Sequence, residues 1–128
     1  LASSLAAIPT SAGFQLVAER AWADIDVAQI DTLLIPGGLG EQAQCQNPEL
    51  LAWLRTVEPQ VCRLGSICSG ALILAAAGLL DGHLATTHWA DVETLRQGYP
   101  DVEVLGDRLH TYDAQNLNGT HMCSPRPE

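Results

Sequence analysis

One stretch constrains this chain more than any other. Residues 61–67, Val-Cys-Arg-Leu-Gly-Ser-Ile, read as a strand and run directly into Cys68-Ser69-Gly70. Residues 71–77, Ala-Leu-Ile-Leu-Ala-Ala-Ala, are a strong helix former, and Gly78 ends them. Short apolar strand-like runs alternating with helical stretches in this way argue for an α/β domain with a mostly parallel sheet.

The rest of the chain alternates in the same way. Residues 13–18 read as a short strand. Residues 31–35, Asp-Thr-Leu-Leu-Ile, predict a buried central strand that stops at the turn Pro36-Gly37-Gly38. Asn47-Pro48-Glu49 opens a helix with Asn as N-cap, Pro in the first position and an acid in the first turn. Leu50, Leu51, Leu54 and Val57 then fall on one side at helical spacing, and Pro59 closes the run. Asp81-Gly82 is a turn, 84–87 a short strand, 91–97 a helix ended by Gly98-Tyr99-Pro100, and 102–105 a last short strand. No internal repeat interrupts this pattern. From residue 111 the apolar residues thin out, and the chain finishes in Ser-Pro-Arg-Pro-Glu. These features predict one domain over 1–109 and an irregular tail over 110–128.

Apolar residues make up 47% of the 128, enough for a single core. Fifteen acidic residues against six basic ones leave a net charge of −9. A surface so acidic repels phosphate backbones, so the chain is not expected to bind nucleic acid by itself. The longest apolar run, 71–80, is too short to cross a bilayer. Cysteines 45, 62, 68 and 123 show no Cys-x-x-Cys spacing and read as reduced thiols, which points to the cytoplasm. A first residue of Leu, followed by Ala-Ser-Ser-Leu-Ala-Ala without a basic lead, reads as a fragment or processed product and not as a signal peptide.

The chemistry concentrates at three places. Ser66-Ile67-Cys68-Ser69-Gly70 has the form of a nucleophile elbow, where small neighbours permit a strained turn that lifts one side chain above the sheet. A cysteine there meets the free N–H groups of a helix start, which favour the thiolate. The alternative is that Cys68 is a small buried hydrophobe. Gly37 and Gly38 lie at the C-terminal end of a strand, where ligands bind in open α/β folds, and their N–H groups are candidate oxyanion donors. The alternative is an ordinary turn. His88, in Thr86-Thr87-His88-Trp89, follows a strand and is a candidate base, or else a structural residue. His110 with His121-Met122-Cys123 matches no closed zinc pattern, so no metal is expected, and no cofactor. Cys45 and Cys62 read as bystanders, and Trp22, Trp53 and Trp89 as packing residues.

Asp-Thr-Leu-Leu-Ile-Pro-Gly-Gly, Gly-Ser-Ile-Cys-Ser-Gly-Ala and Ala-Gly-Leu-Leu-Asp-Gly-His-Leu-Ala-Thr-Thr-His-Trp together resemble the ThiJ/PfpI family of the class I glutamine amidotransferase-like superfamily. The resemblance covers roughly 10–109. It implies a flavodoxin-like three-layer α/β sandwich, here incomplete at the N-terminus. It also implies that Cys68 is the elbow nucleophile, His88 its neighbour, and the backbone of Gly38 and Ser69 the oxyanion donors. The family acid that follows the first strand would fall before Leu1. Within the family, the region looks most like the amidase-like N-terminal domain of AraC-type transcription regulators. That domain would sense a small-molecule ligand, with DNA bound by a separate helix-turn-helix pair and homodimers common. The other likeness is to isonitrile hydratase, which hydrates an isocyanide to a formamide. If the chain is active, the resemblance implies a cysteine-nucleophile hydratase or hydrolase.

Overall fold

The computed structural model describes residues 1–113 and the strand 120–124. The described residues form three sheets. Strands β1 (Ile8–Pro9) and β2 (Gln15–Leu16) form a small antiparallel hairpin. The main sheet contains β3 (Thr32–Ile35) and β4 (Arg63–Ile67), and β5 (Leu84–Ala85) pairs in parallel with β6 (Glu103–Val104) in a separate two-stranded sheet. Strands β7 (Thr111–Asp113) and β8 (Thr120–Ser124) complete the main sheet in the order β3-β4-β8-β7. There β3, β4 and β8 run parallel, and β7 runs antiparallel to β8. Among the described residues four α-helices intervene: α1 (Glu41–Cys45), α2 (Pro48–Val57), α3 (Gly70–Ala76) and α4 (Val92–Gly98). Parallel strands joined through helices give the flavodoxin-like α/β class that the sequence implies.

Local rules account for several elements. The Asn47 side chain accepts from the Leu50 N–H at 3.3 Å, and Pro48 is the first residue of α2, as its sequence predicts. Helix α3 ends where Gly78 takes φ +78, a conformation that costs glycine little. The Arg55 guanidinium from α2 donates to the Ala77 carbonyl at 2.8 Å and satisfies one of the last acceptors of α3. Gly70 through Ala75 are all buried, so α3 is enclosed on every side, and its Ala-rich sequence fits that position.

Two expectations are corrected. The strand at 31–35 is not central among the described strands. It pairs with β4 alone, so Leu33 and Ile35 are buried while Leu34 is 43% exposed. The stretch 13–18 does hold a short strand, β2, which pairs with β1 in an exposed hairpin. The tail is not irregular throughout: β7 and β8 lie within 110–128, and β8 sets Thr120 beside Arg63 and Ser124 beside Ile67. Thr-His-Met-Cys-Ser carries no alternating pattern. The exposed ladder of β4 makes it a strand, a tertiary effect that overrides weak propensity. The final Pro-Arg-Pro-Glu lies outside the described residues.

Helix α3 sits on β3 through a backbone contact. A Cβ on Gly70 would strike the carbonyl of Ile35, which is rigid backbone and cannot yield. Gly70→Ala is therefore expected to destabilise the domain by about 2 kcal/mol, because overpacking outweighs the roughly 1 kcal/mol helix-propensity gain of Ala. Urea unfolding of the two proteins measures this, and an unchanged midpoint would contradict the close packing of α3 on β3.

Candidate functional site

Strand β4 ends at Ile67, and the next residue, Cys68, takes φ +59. Among the described residues it is the one non-glycine with a positive φ. Left-handed backbone costs an L-residue about 1–2 kcal/mol, so the surroundings must hold it. They do so through small neighbours. Ser66 and Ser69 are buried, and Gly70 lies on the Ile35 carbonyl with no room for a side chain. Cys68 itself is neither sealed nor fully exposed. This is the elbow that the sequence predicts, with its thiol at the start of α3.

The Pro36-Gly37-Gly38 turn lies directly against the elbow. A Cβ on Gly37 would collide with the side chain and backbone N of Ser69. Gly38 has φ +133, and its N–H donates to the Ser69 Oγ at 3.1 Å. Ser69 stands at the N-cap of α3 but makes no side-chain cap bond, since its hydroxyl is committed to the turn. The glycines and Ser69 are thus brought together with Cys68. The Gly38 N–H, a candidate oxyanion donor, is already engaged by a side chain.

His88 caps its own turn. Its Nδ1 accepts from the Ala90 N–H at 3.3 Å, capping the short 3-10 turn Trp89–Asp91. Asp91 Oδ2 lies 3.9 Å from the same nitrogen, too far for a hydrogen bond. An Nδ1 that accepts leaves the proton of neutral imidazole on Nε2. Among the described residues no hydrogen bond joins His88 to Cys68. The side chain that does reach Cys68 from this segment is Thr87. It is 1% exposed, and its Oγ1 donates to the Cys68 carbonyl at 3.1 Å. The sequence singled out the Thr-Thr-His-Trp stretch for its imidazole and overlooked the adjacent hydroxyl. Buried threonines just past a strand end were the available signal.

The other cysteines fall elsewhere. Cys62 precedes β4, at the opposite end of the strand from Cys68, and its hydrogen bond with Asp31 pushes the thiol up. The Asp31 carboxyl is held low by the hydroxyl of Thr32 first, then by Cys62 and Arg63, the last at 2.8 Å. Cys45 in α1 packs against the core, and its thiol donates to Glu41 Oε2 at 3.6 Å. Trp22 and Trp53 pack with ring centroids 5.4 Å apart, as expected, whereas Trp89 is 66% exposed beside the His88 ring. No group able to hold a metal occurs among the described residues. The side chains of His121 and Cys123 lie outside them. No helix there is long and apolar enough to cross a membrane.

A parallel α/β sheet carrying a left-handed cysteine between strand and helix defines the class: a flavodoxin-like domain with a cysteine at its strand-to-helix elbow. The chain belongs to the DJ-1/PfpI family, whose model matches residues 2–111. It is 37% identical over 86 residues to the isonitrile hydratase of Pseudomonas putida, covering 67% of this chain and 37% of that protein. It is 38% identical over 74 residues to the HTH-type transcriptional regulator CdhR of Pseudomonas aeruginosa, covering 58% of this chain and 22% of the regulator. A ThiJ/PfpI family protein from Pseudomonas syringae superposes with a TM-score of 0.78 at 28% identity, over 96% of this chain and 48% of that one. The alignments thus span well under half of either curated relative's length.

The Cys45 thiol is pushed up to about 11 from an ordinary 9.0, by burial first and then by the Glu41 carboxylate. A thiol whose folded pKa is raised stabilises the native state fully below the unfolded pKa, and that stabilisation fades as pH rises through the folded value. Stability is therefore expected to decline between pH 9.0 and about 11 more steeply in wild type than in Cys45→Ala. Urea midpoints across that range measure the slope, and identical slopes would remove Cys45 as the cause.

Proposed function

We propose that this chain is the ligand-sensing domain of an AraC-type transcription regulator, with Cys68 at the floor of the ligand site. The observation that carries this reading is the engagement of His88. An imidazole that caps its own turn through Nδ1 is a poor proton acceptor for the thiol. The Gly38 N–H is likewise held by Ser69. Such an elbow favours holding a small molecule over turning it rapidly into product. The likeness to CdhR supports the regulator context. A net charge of −9 supports DNA contact through another domain. The same reading puts the regulator in the cytoplasm as a homodimer.

The second reading is an isonitrile hydratase-like enzyme, and the strained, accessible Cys68 favours it. The thiolate would add to the terminal carbon of an isocyanide, and a proton would complete a thioimidate. Water would then attack that carbon, release the thiol and leave the N-substituted formamide.

Two measurements separate the readings. The sensing reading expects the coding frame to continue into a pair of helix-turn-helix motifs, read by sequencing the flanking DNA. It also expects an alkyl isocyanide to give no more than one equivalent of formamide per chain. Formamide formed catalytically and lost in Cys68→Ala would establish the hydratase instead. A frame that stops without a helix-turn-helix pair would overturn the regulator.

A further inference from the structure

We infer that Thr87 is the positioning residue of the elbow, holding Cys68 in its left-handed conformation through the Cys68 carbonyl. This rests on the reading of Cys68 as the reactive group of the site. The first turn of α3 closes on Ser69, whose carbonyl accepts from the Leu72 N–H at 3.0 Å. The Cys68 carbonyl therefore stands ahead of the helical ladder and needs a donor from elsewhere. Thr87 supplies it at 3.1 Å, from a side chain 1% exposed to solvent. A half-buried carbonyl deprived of its donor bears part of a desolvation penalty, which it avoids by turning toward water. That rotation is about ψ of Cys68, and it would take the residue out of the left-handed well in which φ +59 is tolerated, so that φ and the side chain relax with it.

The neighbouring threonine provides a built-in comparison. Thr86 is equally buried, but its Oγ1 donates to the Arg108 carbonyl at 3.2 Å, away from the elbow. Both hydroxyls stabilise the fold, yet only Thr87 touches the residue that carries the thiol. Thr87 acts through the backbone of Cys68 and makes no contact with a reacting atom.

The test uses the full chain, iodoacetamide, and mass-spectrometric quantification of each cysteine peptide. The quantity read is the alkylation rate of Cys68 divided by that of exposed Cys62 in the same molecule. Thr87→Val is expected to lower this ratio about fivefold, the worth of one hydrogen bond. Thr87→Ser, which keeps the donor, is expected to restore it, and Thr86→Val to leave it unchanged despite a comparable loss of thermal stability. If Thr87→Val does not fold, Thr87→Ala carries the same comparison. A ratio unchanged in the Thr87 variants, or lowered equally by Thr86→Val, overturns the role of Thr87 while Cys68 keeps its own. A wild-type Cys68 that reacts no faster than Cys62 overturns the reactive elbow itself, and the inference with it.

Discussion

The left-handed backbone of Cys68 is the constraint on which the rest of the site depends. An L-residue leaves that region readily, so its persistence requires neighbours that forbid relaxation. Gly70 lies against the carbonyl of Ile35, which fixes where α3 begins relative to β3. Ser69 binds the Gly38 turn and Thr87 binds the Cys68 carbonyl. Contacts from two separate parts of the chain, residues 35–38 and Thr87, thus hold three consecutive residues, Cys68, Ser69 and Gly70.

This arrangement explains why small residues surround the thiol. Ser66, Ser69 and Gly70 admit the close approach of α3 to the sheet, and Gly37 admits the turn above Ser69. A larger side chain at any of these positions would push the turn or the helix away and release the elbow. The enclosed α3 resists such movement, because all of its residues from Gly70 to Ala75 are packed. Hydroxyls then do what ladder hydrogen bonds do elsewhere. Thr87 ties the end of β5 to the elbow, and Thr111 donates to Leu84 at 3.3 Å, so the main sheet and the β5-β6 sheet are joined by side chains.

The strand-to-helix junction, the Gly37-Gly38 turn and the capped α2 were legible because each is written in adjacent residues. Asn47-Pro48 and Ala-Leu-Ile-Leu-Ala-Ala-Ala state their structure locally, through capping and helix propensity. The partner of Cys68 was not legible. His88 and Thr87 are sequence neighbours, and spacing alone does not say which of two adjacent side chains turns toward the elbow. Strands β7 and β8 were missed for a related reason: Thr-His-Met-Cys-Ser becomes a strand only beside the ladder of β4.

The sequence by itself determined the class of fold, the elbow and the family, since these follow from local patterns of apolar runs, small residues and glycines. Tertiary structure alone decided that β3 pairs on one side among the described strands, that Ser69 occupies the Gly38 N–H, and that His88 caps its own turn while Thr87 meets Cys68. The physical reason is distance along the chain. Thr87 lies 19 residues from Cys68, and Ser69 lies 31 from Gly38. Such pairings depend on how the helices settle on the sheet, which no local propensity encodes.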